Sequence, residues 1–204
     1  MRNHEEIIKR LFKLLCSYKI QPEALREFLQ AVMTGRLYPE REILYEHNST
    51  VTDAIFVSDG FVACYGFGEN GDRQVAGIYG KDSIIASKSF TSEQPSAYEW
   101  VALPGAYLMK IGYNHMKTVY ATFPDAEELA RLVMADAADK DLQRVHLLKR
   151  DAESLVYEFY KKDFPEFYLP GGLMVDSDVA SYLLISESTL RNTRAKLTKE
   201  DKLP

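Results

Sequence analysis

Two different spacings of hydrophobic residues divide the chain into three parts. In residues 4–34, apolar residues recur every three or four positions, which predicts helices, with Pro22 at the start of the second helix and Gly35 as a stop. From Arg36 to Gly112, short aromatic and β-branched runs alternate with turns that contain glycine or proline. Short strands at such intervals are typical of a sandwich or a barrel. After Gly112 the helical spacing returns.

Turn residues locate the strands of the middle part. Ser58-Asp59-Gly60 separates two apolar runs, which predicts a β-hairpin. Glu69-Asn70-Gly71-Asp72 predicts a second hairpin, because Asn-Gly favours the positive φ angles of a type I′ turn. The predicted strands are Ala54–Val57, Phe61–Tyr65, Gln74–Tyr79, Ser83–Ala86, Tyr98–Leu103 and Tyr107–Ile111.

Two helices are predicted after the strands. The first begins at Asn114 and ends at Phe123, because a residue before proline avoids the helical conformation. The second is long and runs from Asp125 to about Lys149. Its apolar stripe consists of Leu129, Leu132, Val133, Leu142, Val145 and Leu148. Asp136 and Lys140 interrupt the stripe, so the sequence predicts an imperfect coiled-coil seam.

The segment from Asp176 to Leu197 predicts two short helices joined by a tight turn. Val179, Ala180 and Leu183 form an apolar side on the first helix. Ser186 can cap the second helix by accepting hydrogen bonds from its first free amides. Leu190 and Leu197 are seven positions apart and form its inner face. This arrangement is typical of a helix-turn-helix, whose second helix lies in the major groove of DNA.

The outer face of the second helix has side chains that suit nucleic acid. At about 100° per residue, Ser188 and Asn192 point outward, while Thr189, Arg191 and Lys196 lie on the flanks. Asparagine can pair with an adenine edge, arginine with guanine and serine with either, whereas threonine or lysine can hold phosphate. An amphipathic helical hairpin with solvated charges explains the same pattern. This segment alone does not distinguish between the two interpretations.

Composition narrows the class of protein. The chain has 204 residues, of which 46% are hydrophobic and 27% charged, and these values exclude disordered and fibrous proteins. Its longest run without a charged residue is the ten residues Trp100–Met109, against the roughly 20 that a membrane helix needs. Because 25 basic and 30 acidic residues give a net charge of −5, any nucleic-acid binding depends on a local patch.

The expected location follows from the N-terminus and the cysteines. The first residues contain no apolar run of the kind found in a secretory signal. The only cysteines, Cys16 and Cys64, are far apart, which fits a reducing compartment and excludes both a disulfide scaffold and a four-cysteine iron–sulfur cluster. We therefore expect a cytoplasmic protein that has no contact with membranes.

Together these modules resemble the cyclic-AMP-receptor and fumarate-nitrate-regulator (Crp/Fnr) family of bacterial transcription regulators. The matching pieces are Asp59-Gly60-Phe61, Gly80-Lys81-Asp82, Ser89-Phe90, Val179–Leu183 and Ser186–Leu190. The resemblance implies an α+β fold with three parts. An N-terminal double-stranded β-roll, the jelly roll of cyclic-nucleotide-binding domains, has flanking helices and spans residues 1–123. A long central dimerisation helix spans 124–150, and a C-terminal helix-turn-helix domain spans 151–204.

The resemblance also implies partners and a site. Family members pair their long helices across a two-fold axis, and the dimer presents two reading helices to a pseudo-palindrome in double-stranded DNA. By this analogy Ser188, Arg191 and Asn192 face bases, whereas Thr189 and Lys196 hold phosphate. We expect a sequence-specific transcription regulator that acts as a homodimer through the central helix. We expect no catalytic residue, no metal site and no cofactor, and the sequence names no effector.

Three features depart from the family pattern. Leu184 occupies the turn between the predicted helices, where glycine is common because the backbone takes a left-handed conformation. Pro204 follows soon after the second helix, so we expect no β-hairpin wing. Asp176, Asp178 and Glu187 place negative charge near the expected DNA surface, and residues 176–204 contain five acidic and five basic residues. We therefore expect weak and salt-sensitive DNA binding.

Two other classes of function stay open. One is a degenerate β-roll protein-interaction module that has lost ligand and DNA binding, which the acidic balance favours. The other is a metal-dependent enzyme of the cupin type, which needs two or three histidines and a glutamate around one metal, usually with a His-x-His pair. The chain contains no such pair, so we expect that it is not an enzyme.

We predict that cyclic AMP does not bind. Family members that bind it hold the ribose with a Gly-Glu pair and the phosphate with an arginine, whose fork suits phosphate. The corresponding stretch here, Ser83–Phe90 followed by Pro95–Tyr98, contains no Gly-Glu pair, and no arginine occurs between Arg73 and Arg131. Isothermal titration calorimetry with cyclic AMP should therefore show no heat of binding. A micromolar dissociation constant would contradict this prediction.

Overall fold

The computed structural model describes residues 3–168 and 172–203. Its first part contains α1, His4–Tyr18; α2, Glu23–Val32; β1, Thr34–Tyr38; β2, Glu42–Tyr45; β3, Asp53–Asp59; β4, Val62–Phe67; β5, Arg73–Tyr79; β6, Ile84–Ile85; α3, Lys88–Ser92; β7, Glu99–Ala102; and β8, Ala106–Gly112. These are followed by α4, Tyr113–Thr122; α5, Ala126–Leu147; α6, Ala152–Glu158; a π-helical turn, Phe159–Asp163; a 3-10 helix, Pro165–Tyr168; α7, Asp176–Leu183; and α8, Glu187–Lys199. None of the helices among these described residues is long and apolar enough to cross a bilayer.

The strands form two four-stranded sheets, which confirms the α+β class. One sheet has the order β1-β8-β3-β6 and the other the order β2-β7-β4-β5. In the first sheet β3 lies between two partners, because Ile55 faces Lys110 of β8 on one side and Ile85 of β6 on the other. The hairpin predicted around Ser58-Asp59-Gly60 is therefore wrong. Both edges of β3 are occupied, and the chain passes to the other sheet before β4 begins.

Gly60 makes this passage between the sheets possible. Its φ angle is +70°, a left-handed conformation that side chains disfavour. A Cβ atom at this position would lie 2.7 Å from the Cα of Ala106, where β8 begins. A larger residue at position 60 would therefore be both strained and in collision with the backbone of a neighbouring strand.

The second predicted hairpin is present, but its turn has a different type. β4 and β5 are neighbours in their sheet, as predicted. Gly71 has a φ of +79°, whereas Asn70 does not take a positive φ, so the predicted type I′ turn is wrong. The amide of Gly71 donates to the carbonyl of Gly68 at 2.9 Å, and the amide of Gly68 donates to the carbonyl of Asp72, also at 2.9 Å. The hydrogen-bonded turn therefore begins at Gly68, two residues before the Asn-Gly pair.

Two strands and one short helix were not predicted individually. β1 and β2 lie in the part that the sequence assigns to strands, but their side chains show no alternation of buried and exposed positions. Leu37 and Ile43 are apolar and yet about half exposed. The helix α3 is a single short turn, which Ser87 caps by accepting a hydrogen bond from the amide of Phe90 at 3.2 Å.

The chain divides into two compact units. The first contains the residues up to Cys64 together with Ile78–Ala138, and the second contains Tyr65–Gly77 together with the residues from Asp139 onward. The core of the first unit includes Ile8, Leu25, Phe56, Leu108 and Val133, all buried. The domain boundaries expected at residues 123 and 150 stay predictions.

An aromatic cluster around Phe159 forms part of the core of the second unit. The Phe159 ring is 1% exposed. Its centroid lies 4.9 Å from that of Tyr160, 5.0 Å from that of Phe164 and 5.8 Å from those of Phe167 and Tyr182. Edge and tilted contacts at these distances are favourable between aromatic rings. Because Tyr182 belongs to α7, the cluster fixes this helix against the π-helical turn.

We predict that Gly60→Ala destabilises the first unit more than Gly105→Ala. Both glycines have positive φ angles, +70° and +83°, so each substitution incurs a backbone strain of about 1–2 kcal/mol. Only at Gly60 does the new Cβ also meet backbone atoms, since nothing lies within 4 Å of a Cβ on Gly105. Urea denaturation should therefore show the lower midpoint for Gly60→Ala. Equal midpoints for the two variants would contradict the close approach of Gly60 to β8.

Candidate nucleic-acid interface

α7 and α8 are joined by the tight turn that the sequence predicts. Leu184 takes a left-handed conformation, with φ 54° and ψ 39°, and its side chain is 71% exposed. The amide of Ile185 donates to the carbonyl of Ala180 at 3.1 Å, which closes the end of α7. Ser186 caps α8, because its Oγ accepts a hydrogen bond from the amide of Thr189 at 3.1 Å. The cost of a non-glycine residue at the turn is thus offset by two capping interactions.

The inner and outer faces of α8 are as predicted. Leu190 and Leu197 are buried and hold the helix in the second unit. Ser188, Arg191, Asn192 and Lys196 are exposed, and Thr189 is half-buried. The structure therefore places four of the five residues predicted to contact DNA on the solvent side of one helix. Their contacts with DNA stay predictions.

The two hydroxyl groups at the start of α8 belong to its cap. The Oγ of Ser186 lies 2.9 Å from the Oγ of Ser188 and 2.8 Å from the Oγ1 of Thr189. The Asn192 amide differs, because within the described part of the chain it has no hydrogen-bond partner. Asn192 is therefore the residue of α8 whose polar group is most available to a ligand.

Arg191 is exposed but bound to two carboxylates. Its Nε donates to Oδ2 of Asp176 at 2.9 Å, and its Nη2 donates to Oε2 of Glu187 at 2.8 Å. Glu187 is four positions earlier on the same helix, a spacing at which opposite charges attract. The guanidinium predicted to read a base is therefore neutralised by its neighbours in this structure.

Arg194 joins α8 to α7, and the sequence analysis missed it. Its Nη1 and Nη2 donate to the two carboxylate oxygens of Asp176 at 2.8 and 2.9 Å, and Nη1 also donates to the hydroxyl of Tyr160 at 3.0 Å. Such two-bond pairs are the strongest of protein ion pairs. Arg194 follows Arg191 by three positions, which places both on one flank, but no local signal links them to an acid fifteen or more residues earlier.

Lys196, predicted to hold phosphate, is also paired. It forms an ion pair with Glu153 of α6, which in turn lies 3.1 Å from Lys202. The hydrogen bonds from Lys196 and Lys202 lower the pKa of Glu153. Among the basic residues of α8, Lys199 is the exposed one without an ion pair in the described part of the chain. Most of the positive charge of this helix is therefore already balanced.

Within the second unit, residues 65–77 and α5 contact α7. The hydroxyl of Tyr65 donates to Oδ2 of Asp178 at 2.8 Å, and the amide of Val75 donates to Oγ of Ser181 at 3.0 Å. Arg144 of α5 donates from Nη2 to the carbonyl of Tyr182 at 2.9 Å, and its guanidinium carbon lies 4.0 Å from the centroid of that ring. α7 is thus held by hydrogen bonds as well as by its apolar side.

The apolar stripe predicted on the long helix separates into buried and exposed positions. Leu129 and Val133 are buried in the core of the first unit. In the second unit Leu142 and Val145 are 56% and 49% exposed, three positions apart on α5. These two residues form an apolar patch that the described residues of this chain leave exposed.

In the stretch that lacks a Gly-Glu pair, two serine hydroxyls form hydrogen bonds with backbone groups of the same chain. Ser89 is buried, and its hydroxyl accepts from the amide of Val51 at 2.9 Å and donates to the carbonyl of Gln94 at 2.5 Å. Ser96 is also buried, and its hydroxyl donates to the carbonyl of Tyr98 at 2.9 Å. Lys88 is exposed. Neither serine has a hydroxyl hydrogen left for a phosphate.

No side-chain cluster of the metal-binding kind occurs in residues 3–168 and 172–203. That part of the chain has no group of three or more His, Cys, Asp or Glu side chains placed to hold a metal ion.

Known structures share this fold, although no family model and no curated protein matches the chain. FixK2 from Bradyrhizobium japonicum is 16% identical, with a TM-score of 0.68, and the match covers 83% of this chain and 86% of FixK2. The global regulator CLP from Xanthomonas campestris is 15% identical, with a TM-score of 0.65 and coverage of 88% and 93%. The catabolite activator protein from Thermus thermophilus is 16% identical, with a TM-score of 0.52 and coverage of 90% and 86%.

These comparisons identify the fold as that of the Crp/Fnr regulators. The matches cover between 83% and 90% of this chain. The resemblance predicted from the order of modules in the sequence is thereby confirmed at the level of fold. An identity of about 15% does not extend it to a ligand or an operator.

We predict that Asp176 makes the stability of the second unit depend on pH. Hydrogen bonds from Arg194, and then from Arg191, lower the pKa of its carboxyl, while burial acts in the opposite direction. Asp176 therefore stabilises the fold fully above its unfolded pKa of about 3.9, and this contribution is lost as the pH falls through its lower folded-state pKa. In urea, Asp176→Asn should unfold at a lower concentration than the parent protein at pH 7, with the difference shrinking toward pH 3.

Asp139→Asn is the matched control. Asp139 is an exposed aspartate in the same unit, with no ion pair among the described residues, so its substitution should not alter the pH dependence. If Asp176→Asn and the parent protein unfold at the same urea concentration at both pH values, the ion pairs of Asp176 with Arg191 and Arg194 do not form in solution.

Proposed function

We propose that this chain is a DNA-binding transcription regulator that acts as a homodimer and reads a pseudo-palindromic site with α8. The main support is the state of this helix. Leu190 and Leu197 fix its inner side, while Ser188, Arg191 and Asn192 stand exposed on the outer side. A capped helix with a rigidly supported polar face is what major-groove recognition requires. Two of the similar structures are described as a catabolite activator protein and a global regulator of gene expression.

Asn192 is the first candidate for base recognition. Its amide can donate to and accept from an adenine edge without giving up a bond inside the protein. Ser188 lies one turn earlier, near the N-terminus of α8, where helix-turn-helix proteins contact bases. A hydroxyl shared with Ser186 can still accept or donate one further hydrogen bond.

Arg191 contributes its full charge to DNA binding only after an exchange of partners. Asp176 and Glu187 use two of its five N–H donors and balance its charge until one of them is replaced by a guanine or a phosphate. The gain from the new contact is then reduced by the ion pair that is lost, and the freed carboxylate repels the DNA backbone. Thr189 and Lys196 are the proposed phosphate contacts, and Lys196 has to leave Glu153 in the same way. We expect binding to be weak and steeply dependent on salt.

The homodimer is proposed to form through α5. Leu142 and Val145 are apolar, exposed and one helical turn apart. A second copy of the same stripe covers both residues when two α5 helices pack about a two-fold axis. To read two half-sites, the two copies of α8 have to lie one DNA turn apart, about 34–36 Å.

The proposed regulator does not respond to cyclic AMP. The serine hydroxyls of the nucleotide segment are bound to backbone groups, and Lys88 is a single exposed cation. A lysine lacks the planar fork with which arginine binds a phosphate through two bonds.

The alternative function is a β-roll protein-interaction module that has lost ligand and DNA binding. One observation favours it: Arg191, Arg194 and Lys196 are all paired with carboxylates of the same chain. A surface whose charges are balanced in this way suits a protein partner as well as a nucleic acid.

The test is the selection of DNA fragments by the full-length protein at low salt. We predict that a specific set of genomic fragments is enriched, and that Asn192→Ala reduces the preference for that set over random DNA about 10- to 100-fold, as expected for one lost base contact. The protein alone should sediment as a dimer.

Asn114→Ala is the matched control for this test. Asn114 is an exposed asparagine on α4, so its removal should leave the preference unchanged. If no fragment is enriched at low salt and the chain is recovered with a partner protein, the alternative replaces the proposed function. If both asparagine variants behave as the parent protein, Asn192 makes no base contact.

A further inference from the structure

An apolar cavity lies inside the first unit. It has a volume of about 110 Å³ and is lined by side chains from α1, α2, α4, α5 and β3, with further residues from β6 to α3 and from β8. The lining residues from α5 include Ala130, Val133 and Met134. The lining contains no Asp, Glu, Lys, Arg or His. A charged molecule would therefore lose its hydration there without gaining a partner, which excludes nucleotides and other phosphates.

Two hydroxyl groups are the polar side-chain groups of this lining. The hydroxyl of Thr91 lies 3.0 Å from the carbonyl of Lys88, to which it donates. Tyr120 has no hydrogen-bond partner for its hydroxyl in the described part of the chain, and burial raises its pKa, so it stays protonated at neutral pH. Side-chain hydrogen bonds to a guest can therefore come only from these two hydroxyl groups.

The cavity is of a size that small apolar molecules occupy. An engineered cavity of 150 Å³ with Leu, Ile and Phe walls stays dry and binds benzene or xenon. The lining here includes Met33, Met116 and Met134, whose unbranched side chains adapt to irregular guests. An empty space of this kind forfeits dispersion contacts, which a guest of matching size restores.

Entry does not require the unit to unfold. Met134 is 46% exposed and Thr91 is also exposed, although both line the cavity. At these two residues the lining of the cavity reaches the surface.

We propose that this cavity is a binding site for a small, neutral, apolar molecule about the size of a single six-membered ring. The proposal is independent of DNA binding by α8. It concerns a different unit of the chain and requires neither a dimer nor a nucleic acid.

The test uses the methionine methyl groups of the parent protein as reporters. With the protein ¹³C-labelled at the methionine methyls, benzene should shift the signals of Met33, Met116 and Met134 in a saturable way. Met109 and Met174 are buried outside the lining and should not move. Cyclic AMP should shift none of the five. The proposal is overturned if benzene leaves the three lining methyls unshifted or moves all five methyls alike.

A pair of variants tests the same site through stability. Ala130→Met extends a side chain from the lining into the cavity, whereas Ala135→Met makes the same change at an exposed position of α5 outside the lining. At ten times its dissociation constant, benzene should raise the melting temperature of the parent protein and of Ala135→Met by about 3–6 °C. Ala130→Met should show no rise. An equal rise in Ala130→Met places benzene elsewhere, and if that variant does not fold, the methyl shifts decide.

Discussion

The carboxylate of Asp176 joins the two helices of the candidate DNA-binding pair. It stands in the first turn of α7, where a negative charge is favoured by the helix dipole, and it accepts hydrogen bonds from Arg191 and Arg194 of α8. Arg194 also donates to Tyr160, so the same interaction connects the pair to the aromatic cluster around Phe159. Asp176 therefore adds a charged link between α7 and α8 to the packing of the buried Leu190 and Leu197. The same contacts reduce the positive charge that α8 can present to DNA. The ion pairs that stabilise the helix pair therefore lower its affinity for phosphate.

α5 shows how one apolar stripe can serve two purposes. Leu129 and Val133 pack into the core of the first unit, so they are no longer available to a partner. Leu142 and Val145 remain at the surface. A continuous coiled-coil seam would need all of these positions free. The interruption at Asp136 and Lys140, visible in the sequence, falls between the two sets, and the Oδ2 of Asp136 accepts a hydrogen bond from the hydroxyl of Tyr18 of α1.

The first unit combines the strands of a Crp/Fnr-type fold with an apolar cavity. Ser89 and Ser96 stabilise their own loops through backbone hydrogen bonds. The cavity nearby in the same unit is lined by apolar side chains. A fold does not determine a ligand, because the charged groups that recognise a phosphate can be replaced while the sheets and the helices are retained. The apolar lining of this cavity suits an uncharged guest.

The sequence by itself determined the features that depend on near neighbours along the chain. The spacing of apolar residues predicted the α+β class and the long helix, and it predicted that Leu190 and Leu197 are buried while Asn192 is exposed. The left-handed turn at Leu184 and the cap at Ser186 also follow from residues within one or two turns. Only the tertiary structure decided which strands pair and which charges meet. β3 and β4 are consecutive but lie in different sheets, because β6 and β8 occupy both edges of β3.

The charge state of α8 is the clearest case of such long-range dependence. Arg191 meets an acid fifteen residues away and Lys196 one that is 43 residues away. Ion pairs at these separations depend on how α6, α7 and α8 pack, and no periodicity along the chain encodes that packing. The sequence therefore predicted the right face of the right helix, whereas the structure showed that most of its charges are already paired.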